Sequence, residues 1–152
     1  MVLTFKIIGF MLTLSAGIMF GFLKVSVLKE RRDALREVCK GLRELHGELT
    51  VGLKELPRLI NECFSRCSYI EISGMSATAK GKQFSEEDKR IINEFFHDAG
   101  KLNSQREGER TKVYVNLLEK QLSESEERLL SEGKLWKTLS ICMSVGGGIL
   151  FL

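Results

Sequence analysis

The side chains able to do chemistry are few and scattered. Cys63 and Cys67 stand four apart, one helical turn, and so share a face with Ile60 and Phe64. Two thiolates at that spacing could begin a tetrahedral metal site, but the only histidines, His46 and His97, are isolated. Small core residues are the reading that needs nothing further. Glu86, Glu87 and Asp88 could form an acid/base pair, yet they follow Ser85, where acids meet the positive end of a helix dipole. Gly146, Gly147 and Gly148 invite a phosphate-loop reading, but they lie in an apolar run where close helix packing is the simpler cause. The chain has no Gly-rich loop ending in Gly-Lys-Ser/Thr, no Gly-x-Ser-x-Gly elbow and no His-Glu-x-x-His pair. No catalytic, cofactor-binding or metal-binding residue is assigned, and the chain is read as a non-enzyme.

The elements that would position such residues are helical. Leu28, Leu35, Leu42 and Leu49 fall seven apart, with Val38 and Leu45 interleaved three residues after two of them, a 3.5-residue period. Leu35, Val38, Leu42, Leu45 and Leu49 thus form a seam for a core or a partner, and Gly52 is the expected stop. Pro57, with Leu56 before it, suits the first turn of a second helix bearing Ile60, Cys63, Phe64 and Cys67. Ser68 to Gln83, with Gly74, Gly81 and several Ser and Thr, reads as a linker in which only Ser68 to Ser73, through Tyr69, Ile70, Glu71 and Ile72, could hide a strand. A third helix opens at Ser85, buries Ile91, Ile92, Phe95, Phe96 and Ala99, and ends at Gly100. A fourth runs from about Ser104 through Trp136, with a thin stripe of Tyr114, Leu118, Leu122, Ser125 and Leu129. Its acidic part, Glu119 to Gly133, carries five acids against two bases and should lie beside the basic first helix.

Charge divides the chain more sharply than any motif. Ile7 to Leu23 is uncharged, as is Thr138 to Leu152; between Lys24 and Lys137 lie 22 basic and all 20 acidic residues. A bilayer core of about 30 Å needs roughly 20 apolar residues, so residues 1–28 are expected to form one membrane helix and 136–152 a second, shorter one. A cleaved signal peptide, with Lys6 as its basic region, is the rival for the N-terminus, but the apolar run is long and a dense basic segment follows. Seven basic residues from Lys24 to Arg43, against Lys6 alone before the first segment, put residues 29–135 in the cytoplasm and both termini outside it. The cysteines are therefore expected reduced. The near-balance of charge in the middle offers no field for nucleic acid, whereas the basic stretch suits anionic headgroups. Gly9, Thr13, Gly17 and Gly21 recur every four residues, as do Ser140, Ser144 and Gly148. These small-residue ridges should pack the two segments together, or else serve a homo-oligomer. The expected fold is all-α: a helical bundle flanked by two transmembrane helices.

In order along the chain these features resemble one family. The small-residue membrane segment and basic Leu seam, then Glu48-Leu49, Val51-Gly52 and Leu56-Pro57, resemble the Glu-Ile, Tyr-Gly, Pro-Leu-Pro-Glu-Ala signature of stage III sporulation protein AB. Phe84-Ser85-Glu86-Glu87-Asp88 with Ile91 and Ile92 is similar to its Leu-x-x-Glu-Asp helix. Gly100-Lys101-Leu102 and Arg106-Glu107-Gly108 resemble its Gly-x-x-Leu-Gly and Asp-Arg-Glu-Gly-Gln turn, with Gln105 and Glu109 where the family has Asp and Gln. Gly52, Leu56, Pro57, Gly100 and Gly108 are the turn positions this likeness singles out. Lys134, Leu135, Trp136, Lys137, Leu139, Gly146 and Gly147 resemble its second membrane helix. The resemblance implies a cytoplasmic domain like that of the platform protein of type II secretion and type IV pilus machines. It further implies a multi-pass subunit of the channel complex in the outer forespore membrane, its soluble domain in the mother-cell cytoplasm. The implied partners are a secretion-type ATPase and other stage III sporulation membrane proteins. The competing reading from another class is a small membrane-anchored sensor or adaptor that signals by helix rotation.

Overall fold

The computed structural model describes residues 2–51, 55–73 and 76–151. Its elements run α1 (Val2–Val51), α2 (Leu56–Phe64), β1 (Ile70–Ser73), β2 (Ser76–Ala79), α3 (Glu86–His97) and α4 (Ser104–Phe151). The uncharged N-terminal run and the leucine seam form one continuous helix, as do the charged stretch after Ser104 and the uncharged C-terminal run. Gly52, the expected stop of the first helix, lies outside the described residues. Among the described residues, the fold is mostly helical, and no helix is long and apolar enough to cross a membrane.

The chain divides into two compact units, one of Met1–Glu30 with Ser125–Leu152 and one of Arg31–Glu124. The second unit holds the core. Leu35, Val38, Leu42 and Leu45 of α1 are fully or almost fully buried, and Leu49 nearly so. Against them pack Leu59, Ile60 and Phe64 of α2, Ile91, Ile92, Phe95 and Phe96 of α3, and Val115 and Leu118 of α4. Phe64, Phe96 and Phe95 form an edge-to-face chain, with centroids 5.2 and 5.0 Å apart. Gly41, inside α1, lets this happen: a Cβ there would lie 2.6 Å from the Phe64 ring.

Residues 68–83 are not a plain linker. β1 and β2 pair antiparallel with Ile70 opposite Ala79 and Ile72 opposite Ala77. The period-2 alternation of Ile70 and Ile72 gives the ribbon one apolar face, while the small alanines of β2 leave room for α3, which packs on that strand. Asn93 of α3 then accepts the Ala79 N–H at 3.0 Å. β1 falls within the stretch where the sequence allows a strand, whereas β2 lies in the expected linker; α3 supplies the packing the pair needs, since an isolated two-stranded ribbon is marginal in water.

Ser85 caps α3 with a reciprocal box: its hydroxyl accepts the Asp88 N–H and the Asp88 carboxylate accepts the Ser85 N–H. After the helix ends, Gly100 takes a φ of 84°, left-handed backbone that a glycine adopts without steric cost.

Candidate functional site

The second unit is organised around two buried carboxylates. Asp88 is fully buried and receives a bidentate Arg31 guanidinium, Nε to Oδ2 at 2.8 Å and an Nη to Oδ1 at 3.0 Å. The same Arg31 reaches the Ser85 hydroxyl and the Gln121 carbonyl at 3.4 and 3.3 Å. One side chain of α1 thereby ties the start of α3 to α4. Burial pushes the Asp88 carboxyl upward, but the hydrogen bonds from Arg31 and from Ser85 outweigh it and hold the group below its ordinary range.

Glu107, 2% exposed in the first turn of α4, is the second. One oxygen accepts the N–H groups of Gly100 and Leu102 at 3.0 and 3.2 Å, so it clamps the loop between α3 and α4. The other pairs with Arg110 at 2.9 Å. Arg110 in turn donates to the Phe95 carbonyl at 3.1 Å and stacks over the Phe95 and Tyr114 rings. Beside this clamp, His46 of α1 meets the Gly108 carbonyl at 3.0 Å. A carbonyl can only accept, so Nδ1 carries the proton.

Next to that contact an open groove lies between the last turns of α1 and the first turns of α4. It is lined by His46, Leu49 and Thr50 on one side and Gln105, Gly108, Glu109 and Lys112 on the other. Of the family-like turn positions, Gly100 is bonded to Glu107 and Gly108 to His46, whereas Leu56 and Pro57 open α2, the first of them packed against the core. With its mixed charge and shallow form the groove suits a protein surface better than a small molecule.

Among the described residues, no three or more His, Cys, Asp or Glu come together as a metal site. Cys39 and Cys67 are buried, and burial pushes the Cys39 thiol up to about 11, an inert state.

The first unit brings Gly21 directly against Ser140, whose hydroxyl is bonded to the Trp136 carbonyl. Gly9 and Gly17 are half-buried on the same helix. The side-chain surroundings of Thr13, Ser144 and Gly148 lie outside the described residues. Elsewhere on this unit large apolar side chains face outward: Met11, Leu12, Met19, Phe20, Phe22 and Leu23 on α1, and Leu139, Ile141 and Met143 on α4, each more than half exposed.

The pairings of Arg31 with Asp88 and of Glu107 with Arg110 emerge only in the structure. From the sequence, Asp88 reads as a helix-dipole acid and Glu107 as part of a family-like turn. A carboxylate at the third position of a helix beginning with Ser is the one signal available for Asp88; for its Arg partner, 57 residues away, there is none.

The family described as stage III sporulation protein AB matches this chain twice, over residues 6–80 and over residues 72–152. No curated protein and no solved structure matches it. The two family matches together cover nearly the whole length, from the first uncharged run to the last, and include the Ser85–Asp88 cap and the Glu107 clamp. The chain therefore belongs to the stage III sporulation protein AB family, which implies a role in sporulation.

Proposed function

We propose that the chain is a platform subunit, without catalysis of its own, of the channel complex between mother cell and forespore. The first unit is a helical pair in the outer forespore membrane, and the second faces the mother-cell cytoplasm. There it takes up conformational work from a secretion-type ATPase and passes it to other stage III sporulation membrane proteins.

The observation that supports this best is the opposite treatment of apolar side chains in the two units. The second unit buries its phenylalanines and the leucines Leu35, Leu42, Leu45, Leu59 and Leu118, leaving Leu102 and Leu117 partly exposed, whereas the first turns Met11, Leu12, Met19, Phe22, Leu139 and Met143 outward. Water penalises so large an exposed apolar surface; lipid does not. The seven basic residues from Lys24 to Arg43, and Lys134 and Lys137, sit where the cytoplasmic flanks would be. The long helices α1 and α4 each contribute residues to both units.

In this reading the groove beside His46 and Gly108 receives the partner, because it is an open surface of mixed charge next to the α4 turn that holds Glu107. The test is affinity purification from sporulating cells. A secretion-type ATPase and further membrane proteins should co-purify with the chain, and the double variant Glu109→Lys, Lys112→Glu should lose the ATPase while keeping membrane recovery. Retention of an unchanged partner set by the double variant would remove the groove from the interface. Recovery of a response regulator in place of an ATPase would favour the sensor reading.

A further inference from the structure

The first unit contains a cluster of two aromatic rings and one ammonium group. Trp136, the only tryptophan of the chain, meets Phe20 edge-to-face with centroids 6.1 Å apart. The Lys24 ammonium lies over both rings, 5.8 Å from the Phe20 centroid and 5.7 Å from that of Trp136. Lys24 is exposed, so its charge is held by the rings and still open to what lies outside.

Lys24 is the first charge after the uncharged run of α1, and Lys137 is the last before the uncharged run of α4. Sequence alone leaves open whether those two runs begin at the same level. In the structure they do: Gly21 rests on Ser140, the Val25 side chain lies 3.9 Å from where a Gly133 Cβ would be, and Lys24 covers Trp136. All the charges of both helices near this point therefore fall on one side, and the outward apolar side chains Met19, Phe22, Ile141 and Met143 fall on the other. Lys137 also lies at the edge of an apolar groove formed by Ile18, Gly21, Phe22, Ser140 and Ile141, a surface open to an acyl chain. A tryptophan with an apolar body and a polar N–H, flanked by two lysines, has the composition favoured at a lipid–water boundary.

We propose that the boundary of the bilayer crosses the first unit at the level of Lys24, Trp136 and Lys137. There the Lys24 ammonium, held over the Phe20 and Trp136 rings, binds the phosphate of a lipid headgroup and fixes the depth of the helical pair. This rests on the membrane reading of the first unit and adds to it a depth and a named anchor.

The single tryptophan supplies the readout. The full chain is reconstituted into vesicles of phosphatidylcholine and phosphatidylglycerol, with bromine carried at shallow or deep positions of the acyl chains. Trp136 fluorescence should be quenched severalfold more by shallow bromine than by deep bromine, and little by aqueous acrylamide. Lys24→Gln should shift the strongest quenching toward deeper bromine, and Lys24→Arg should keep the wild-type profile. An unchanged profile in Lys24→Gln, or strongest quenching by deep bromine in the wild type, overturns the anchor. A polarity-sensitive probe on Cys142, which is exposed on α4, separates the two levels of failure in a Cys63→Ser background where Cys39 and Cys67 are buried. If acrylamide reaches Trp136 while the Cys142 probe stays shielded, only the depth is wrong. If water reaches both, the membrane reading falls and the anchor with it.

Discussion

Asp88 performs three tasks with one carboxylate: it closes the cap of α3, faces the positive end of that helix, and receives Arg31 from α1. Because its folded pKa is depressed, the stability it contributes is present above the ordinary aspartate pKa of about 3.9 and is lost as pH falls through the lower folded value. Chemical denaturation of the full chain in micelles should show this loss on acidification, and Asp88→Asn should flatten that part of the pH profile. Removing Arg31 instead leaves a buried unpaired carboxylate. Arg31→Met should cost about 3 kcal/mol at neutral pH, the low end for such a loss because Arg31 itself keeps some solvent contact. Wild-type stability in Arg31→Met would show that water takes over the pairing. Cys39 gives a second residue-scale expectation: with its thiol pushed up by burial, alkylation at mildly alkaline pH should reach Cys63 well before Cys39.

At the scale of elements, two glycines of α1 make opposite predictions. Gly47 has no neighbour within 4 Å of an added Cβ, so Gly47→Ala should gain up to about 1 kcal/mol of helix propensity. Gly41→Ala gains the same propensity but drives a methyl to 2.6 Å from the Phe64 ring, and overpacking of this kind costs about 1 to 3 kcal/mol. Urea titrations should therefore move in opposite directions for the two variants. Leu42, 1% exposed in the middle of the seam, should cost about 2 to 5 kcal/mol on truncation to Ala. A negligible loss there would turn the seam from a core into a surface. Acidic α4 does meet basic α1 in the second unit, through Arg43 and Glu119 at 2.7 Å. That pair is substantially exposed, worth about 0 to 1 kcal/mol, and so bears on register more than on stability.

For the whole molecule, the proposed arrangement has a topology and a pairing that can be read separately. A reporter active only outside the cytoplasm should be silent when fused after Asn103 and active when fused after Leu152. The reverse result would take a cytoplasmic ATPase away as a direct partner. Gly21 packed on Ser140 implies that Gly17 and Ser144, one turn further along each antiparallel helix, can approach. Cysteines placed at both, in a background without the native ones, should crosslink within a single chain. Crosslinks of Gly17→Cys only to another copy would assign the ridge to an oligomer interface.

The helices and much of the core seam were legible along the chain. Leu35, Val38, Leu42, Leu45 and Leu49 recur at the period of a helix, and Ser85 with its acids announces a helix start, because both signals are carried by neighbours within a few residues. The likeness to the stage III sporulation protein AB family was legible too, since it rests on the order of such local features. What tertiary structure decided is everything that joins distant residues. The β-ribbon at 70–79 forms against α3, and Gly41 makes way for Phe64. Arg31 finds Asp88, and Glu107 closes back on Gly100 and Leu102. Lys24 settles over Trp136, which aligns the two uncharged runs. The physical reason is common to these contacts. Helical periodicity is a property of one segment, whereas burial of a charge, clearance for a ring and the level of two helix ends depend on partners that adjacency in sequence does not specify.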